Sequence, residues 1–402
     1  MEKLKPRLYY LVLIFAVLSV SFALLNTPRQ RDFYYAAIYL GILGLIFERE
    51  KLSFKKFNIA YPIIMIGIVK LVYFFVLERS PDGYNVYSDH LSGGKKLVLG
   101  GILVFYMTQC SDYLRNINYK NLLLLVVGLG FVTASCYAGW QAIHGFERVE
   151  MGLDRPTNTA YIYSAFSLFL IYLLYAQKKP LFYIIAALVI ITSFIVAILT
   201  GTRAVIISHL LIIVVMSFYH FNKIHLKSML VVLTISAIAI FFLYKDYIKP
   251  KINQTLQEVT LYENGEDNTS LGARFSMWKV GLANFSNAPF GQSMHSRQEY
   301  TSQYTSKNPQ YKTAMQFVNI HLHDEMIEIL SLQGIVGGLS LLWFYLSISW
   351  VALREKNTPL LFTMNALILY GLSDVLLLSS EAILFFITLI GICGIKAPPE
   401  RM

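Results

Sequence analysis

Charge is scarce in this chain. Only 14% of its 402 residues are Asp, Glu, Lys or Arg, while 56% are hydrophobic and the mean hydropathy is +0.53. A soluble domain carries nearer a quarter charged residues, so the surplus apolar surface must face lipid. The net charge of +10 is spread in twos and threes between apolar runs, never in a block. That is the pattern of topological anchors and excludes a phosphate-tracking face, so no nucleic-acid partner is expected. Cysteine is almost missing. Cys110, Cys136 and Cys393 fall in or beside apolar runs and offer neither a disulfide framework nor zinc spacing. No Gly-rich phosphate loop, H-E-x-x-H or paired-Asp signature is present, so no metal and no cofactor are expected. No internal repeat is evident, which disfavours transporter folds built from duplicated halves.

What is present is a series of long apolar runs. At about 20 apolar residues per spanning helix, twelve candidates emerge: 8–25, 33–47, 57–77, 95–111, 121–142, 159–176, 180–199, 203–219, 228–246, 325–352, 358–378 and 381–395. The first follows a positive Met1–Arg7 without a small-x-small cleavage site, the mark of a retained helix. With the N-terminus in the cytoplasm, every inside loop holds at least two basic residues, and both termini lie inside. The expected fold class is therefore an all-α polytopic membrane protein of about 12 transmembrane helices, one integral membrane domain over 1–402. Its one large extracytoplasmic loop, 247–322, is polar and aromatic. Loops of that length are uncommon and usually functional.

Thr269 or Ser270 caps a predicted helix through Arg274, Trp278, Leu282 and Phe285, which Pro289 and Gly291 end. Phe275, Trp278 and Phe285 on one face would rest on the membrane or over the helix tops. Arg297 to Thr313, rich in Tyr, Ser, Gln and Lys, reads as an exposed, mobile cover. Three residues stand out as candidates for chemistry. Arg203 follows Thr200-Gly201-Thr202 at the start of a helix, where free N–H groups favour an anion; an interfacial snorkelling arginine fits equally. Arg274 carries a planar fork suited to phosphate. His323 stands at a helix N-terminus, with His321 competing for the same role. Arg148, Asp154 and Arg155 form a second charged cluster on the same side. Lys70, His209, Glu328 and Asp374 are ionisable groups inside or near spans, where such groups are costly and often functional. No partner for them is legible.

Arg274-Phe275-x-x-Trp278-x-x-Gly281-x-x-x-Phe285, Pro289-Phe290-Gly291, His323-Asp324 and Gly334-x-x-Gly337 together resemble the O-antigen ligase and polymerase superfamily. Thr200-Gly201-Thr202-Arg203 is similar to its Ser/Thr-Arg turn. Length and texture lie nearest the enterobacterial ligases. One departure is Asp324, where the family usually has an amide.

The resemblance implies a C-type glycosyltransferase of the bacterial cell inner membrane with a periplasmic active site. Such an enzyme transfers an O-antigen glycan from undecaprenyl diphosphate to the lipid A–core oligosaccharide, without metal and with inversion. His323, Arg274 and Arg203 would be catalytic. Arg203, Arg274, Arg155, Trp278 and His321 would bind substrate. Two rivals are an O-antigen polymerase, using the same donor, and a lipid-linked glycan transporter. A transporter should show broken helices or intramembrane charge pairs, and these spans read as mostly clean.

Overall fold

A computed structural model describes residues 4–77, 85–114, 119–153, 155–221 and 249–395. Among them there is helix and no strand. Eight helices come first: α1 (Leu4–Phe22), α2 (Thr27–Phe47), α3 (Ala60–Leu77), α4 (Asn85–Gln109), α5 (Tyr119–Ile143), α6 (Pro156–Tyr175), α7 (Pro180–Leu199) and α8 (Arg203–Phe221). Three short helices and a 3-10 turn follow: α9 (Lys249–Glu263), α10 (Ser270–Asn287), α11 (Met294–Lys307) and Pro309–Gln316. The bundle resumes with α12 (Glu325–Arg354), α13 (Thr358–Gly371) and α14 (Ser380–Cys393).

Eleven of the twelve expected spans coincide with helices, and 228–246 lies outside the described residues. Among the described residues, seven helices (α1, α3, α5, α6, α7, α8 and α12) are long and apolar enough to cross a membrane. The chain is a multi-pass helical membrane protein.

Packing sorts the helices by how apolar they are around their circumference. α6 and α14 are buried on nearly every side and form the centre of the bundle. α5, α7 and α8 bury one face and turn Leu125, Leu188 and Ile207 outward, as helices in contact with lipid do.

Within 249–324 a small core of Ala273, Met277, Val280, Ala314 and Leu322 forms. Arg297, Thr301, Thr305 and Thr313 are buried, so the stretch from Arg297 to Thr313 is not simply an exposed cover. Thr269 caps α10, accepting from the Gly272 amide at 3.0 Å, and the helix ends just before Pro289. Its buried face is the small one, Gly272, Ala273, Ser276, Met277, Val280, Gly281 and Asn284, whereas Phe275, Trp278 and Phe285 are half-buried. Small residues let α10 approach α12 closely: a Cβ on Gly281 would meet Ile327 at 2.4 Å. Asp267 ties the 3-10 turn down, accepting from the Thr313 hydroxyl at 2.6 Å and the Thr313 amide at 3.0 Å. Arg297, expected in the exposed cover, is fully buried. Its aliphatic stem and paired head let one charged residue occupy the interior.

The reading of clean spans needs correction too. α12 breaks at Gly334 (φ 64°, ψ −156°). The Pro289–Gly291 loop is spliced into the break, where Ile335 donates to the Pro289 carbonyl at 2.8 Å and Gln292 to the Leu332 carbonyl at 2.9 Å. Backbone freed inside a membrane protein must find such partners. A Cβ on Gly334 would lie 2.4 Å from the Pro289 oxygen. Gly334→Ala is therefore expected to lower stability by at least about 1–3 kcal/mol from backbone strain alone, read as a fall in the detergent melting midpoint. An unchanged midpoint would mean the splice relaxes freely.

Candidate functional site

A cavity of about 1230 Å³ opens where α8, α9, α10 and the turn before α12 meet. Six charged or titratable side chains line it, Glu147, Arg148, Arg203, Lys251, Arg274 and His323, and they come from distant parts of the chain. Its lining also includes the apolar Ile206, Ile207, Ile252 and Leu256. A lining that combines cations with aliphatic side chains suits an amphiphile with an anionic head.

Each cation is held differently. Arg203 begins α8 two residues after Gly201, whose φ of 67° makes the tight turn. One guanidinium nitrogen donates to the Thr255 hydroxyl at 2.9 Å, and the other meets Glu258 at 3.1 Å. Glu258 is buried and also accepts from the Leu271 amide at 3.1 Å. Arg203 is thus fixed in place and partly neutralised. Arg148 donates through Nε to the Thr200 carbonyl at 2.7 Å and through Nη2 to the Thr202 hydroxyl at 3.3 Å, with no carboxylate partner among the described residues. Arg274 makes no hydrogen bond or ion pair among the described residues and lies on the cavity wall with its fork unspent.

His323 has φ 52°, a left-handed conformation uncommon for any residue with a Cβ. Its Nδ1 lies 3.4 Å from Asp374 Oδ1, and the His321 Nδ1 lies 3.8 Å from the same oxygen. The two imidazoles meet edge to face, 4.2 Å between centroids. Asp374 belongs to the loop between α13 and α14. Burial alone would raise its carboxyl, but the interaction with His323 and the field of His321 outweigh that and hold it below the usual carboxylate range. Burial holds the His321 imidazole below its ordinary value. Donor atoms of His321, His323 and Asp374 lie within 4.8 Å of one another, so this trio has the spacing to hold a metal ion as well as to orient a histidine. Asp324 accepts from the Ile327 amide at 2.8 Å and caps α12. An amide caps a helix about equally well, which accounts for the departure noted at this position.

The structure therefore brings Arg203, Arg274 and His323 to one cavity. Arg155, Trp278 and His321 do not line it. Arg155 is exposed at the start of α6, and Trp278 packs its ring on Phe275 at 5.6 Å. Arg148 and Asp374 were flagged by the sequence only as a loop charge and an unexplained intramembrane acid. Nothing local in the sequence signalled Glu258.

The described residues thus form a multi-pass helical membrane protein with one cavity that gathers three arginines and a histidine. The comparisons with known proteins agree. Residues 188–342 match the family "O-Antigen ligase", and the resemblance carried by the motifs is borne out over that stretch. It is 27% identical over 373 residues to the O-antigen ligase of Escherichia coli K12, covering 90% of this chain and 87% of that one. It is also 23% identical over 352 residues to an uncharacterized protein of Haemophilus influenzae Rd, covering 79% and 85%. These likenesses support a glycosyltransferase-like enzyme of lipopolysaccharide biosynthesis.

Proposed function

We propose that this protein is an O-antigen ligase. It transfers an O-antigen glycan from undecaprenyl diphosphate to the lipid A–core oligosaccharide at the periplasmic face of the inner membrane. The chain spans the membrane about twelve times with both termini in the cytoplasm, and needs no metal. The observation that carries the reading is the convergence of Arg203, Arg274 and His323 on one cavity whose lining is partly apolar.

The chemistry follows from the groups present. As the glycosidic bond to diphosphate breaks, the anomeric carbon becomes oxocarbenium-like and negative charge grows on the departing oxygens. Guanidinium groups fixed beforehand stabilise that charge without reorganising. His323 takes the proton of the attacking acceptor hydroxyl, and Asp374 supports the imidazolium that forms. The hydroxyl approaches the face opposite the diphosphate, so the configuration inverts.

The broken α12 and the buried charges bear on the transporter alternative. Gly334 stands nine residues beyond the start of α12 at Glu325, about 13 Å along its axis. The pair Arg297–Glu328 joins α11 to the first turn of α12, so it is not a charge pair between two spans. The cavity cations likewise come from helix ends and loops.

The test is purified full-length protein in liposomes with polyprenyl-diphosphate glycan and lipid A–core, with and without excess EDTA. Ligation is expected in both conditions. Glycan elongation without lipid A–core would make it a polymerase. Loss in EDTA restored by zinc would make His321, His323 and Asp374 a metal centre. His323→Ala that blocks lipid movement while joining continues would make it a transporter.

A further inference from the structure

We propose that Arg297 and Glu328 are a buried positioning pair that sets the geometry of the His321–His323 turn for glycosyl transfer; this rests on the transferase reading above.

Both side chains are out of water, at 0% and 1% exposure, with Arg297 Nη1 3.0 Å from Glu328 Oε1. Each uses its remaining capacity on the same short stretch of backbone. Arg297 Nη2 donates to the Val318 carbonyl, and Glu328 Oε2 accepts from the Leu322 amide at 2.9 Å. Leu322 separates the two histidines. The pair therefore grips the 318–322 stretch at both ends, immediately before His323 enters its left-handed conformation. Arg297 Nη1 also donates to the Ser331 hydroxyl at 3.0 Å, which anchors the grip one turn further along α12.

A second arm reaches the other side of the same site. Glu325 lies one turn before Glu328 on α12, and its Oε2 accepts from the Leu377 amide at 2.9 Å. Lys70 donates to the Leu377 carbonyl at 2.5 Å. Both polar backbone groups of Leu377, three residues past Asp374, are thus held by buried ionisable side chains. One helical turn carries the two carboxylates that fix His323 and Asp374 relative to each other.

Such pairs are poor stabilisers. Desolvation consumes most of the Coulombic gain, and well-packed apolar replacements are often neutral or better. What they contribute here is direction, since a charged fork and a carboxylate accept few geometries. A left-handed non-glycine residue persists only where its surroundings over-determine it, and this grip supplies that constraint.

The experiment compares wild type, Arg297→Lys and the double replacement Arg297→Met with Glu328→Leu. It reads detergent melting, hydrogen exchange over 318–323, and kcat and KM for donor and acceptor. The expected double replacement melts close to wild type, exchanges faster over 318–323, and loses about 100-fold in kcat with both KM values unchanged. Arg297→Lys keeps the charge but cannot hold Val318 and Glu328 together, so it should show faster exchange and reduced kcat. A folded double replacement or Arg297→Lys working at the wild-type rate would overturn the proposal. So would rapid exchange of the Leu322 amide in the wild type, even if neither variant folds. Absence of ligation by the wild type would instead defeat the transferase reading, while the exchange measurement still judges the grip.

Discussion

Arg274→Ala is expected to lower kcat for ligation by about 100- to 1,000-fold, the usual cost of removing one donor aimed at developing negative charge. The reasoning starts from pairing. Arg203 spends part of its field on Glu258 at 3.1 Å, and Arg148 spends two donors on the Thr200–Thr202 turn. Arg274 has neither a carboxylate nor a hydrogen-bond acceptor among the described residues. Its full charge and its fork are available to a departing diphosphate. α10 holds it rigidly, because the helix is capped at Thr269 and packed through small residues onto α12. Arg274→Lys should recover only a small part of the rate, since a point charge cannot bind two oxygens in one plane. Steady-state ligation in liposomes measures both variants. If Arg274→Ala kept more than about a tenth of wild-type kcat, the cavity would have to be reassigned away from the donor head group.

Much of this was legible in the chain itself. The helical architecture follows from apolar runs long enough to span, and the loop helix from Thr269 at one end and Pro289 at the other, because caps and breakers act over a few residues. The convergence of Arg203, Arg274 and His323 was expected only from the resemblance; no spacing rule joins residues so far apart. Long-range pairing stayed invisible. Arg297 stands in a stretch of Tyr, Ser and Gln that reads as solvent-exposed, and only the fold brings Glu328 to within 3.0 Å of it. Asp374 was recognisable as an oddity, an acid in an apolar run. Its partner lay in a different loop, so its role could not be named. Trp278 shared the aromatic texture of the loop helix, yet α10 buries its small residues instead, since close helix approach favours Gly and Ala over rings.

His323→Ala should cost about 100- to 10,000-fold in kcat, the span general acid–base groups command, and Asp374→Asn should fall short of that by leaving the base in place. The separation between the two variants follows from their geometry. His323 lines the cavity, whereas Asp374 reaches His323 Nδ1 at 3.4 Å and acts through it. The asparagine variant still fills the space, yet it cannot support a positive imidazolium. Hence kcat falls while KM for donor and acceptor holds. The pH dependence has a definite sign. A carboxyl held below its unfolded value is ionised across pH 5 to 8, as an ordinary Asp near 3.9 already is. Its contribution to stability is therefore constant over that range and is lost only as pH falls through the depressed folded value. Wild type and Asp374→Asn should differ by the same melting-midpoint offset from pH 5 to 8, and the offset should shrink in stronger acid. An offset that failed to shrink in stronger acid would mean the charge of Asp374 contributes nothing to the fold, and the support assigned to it would have to come from another group.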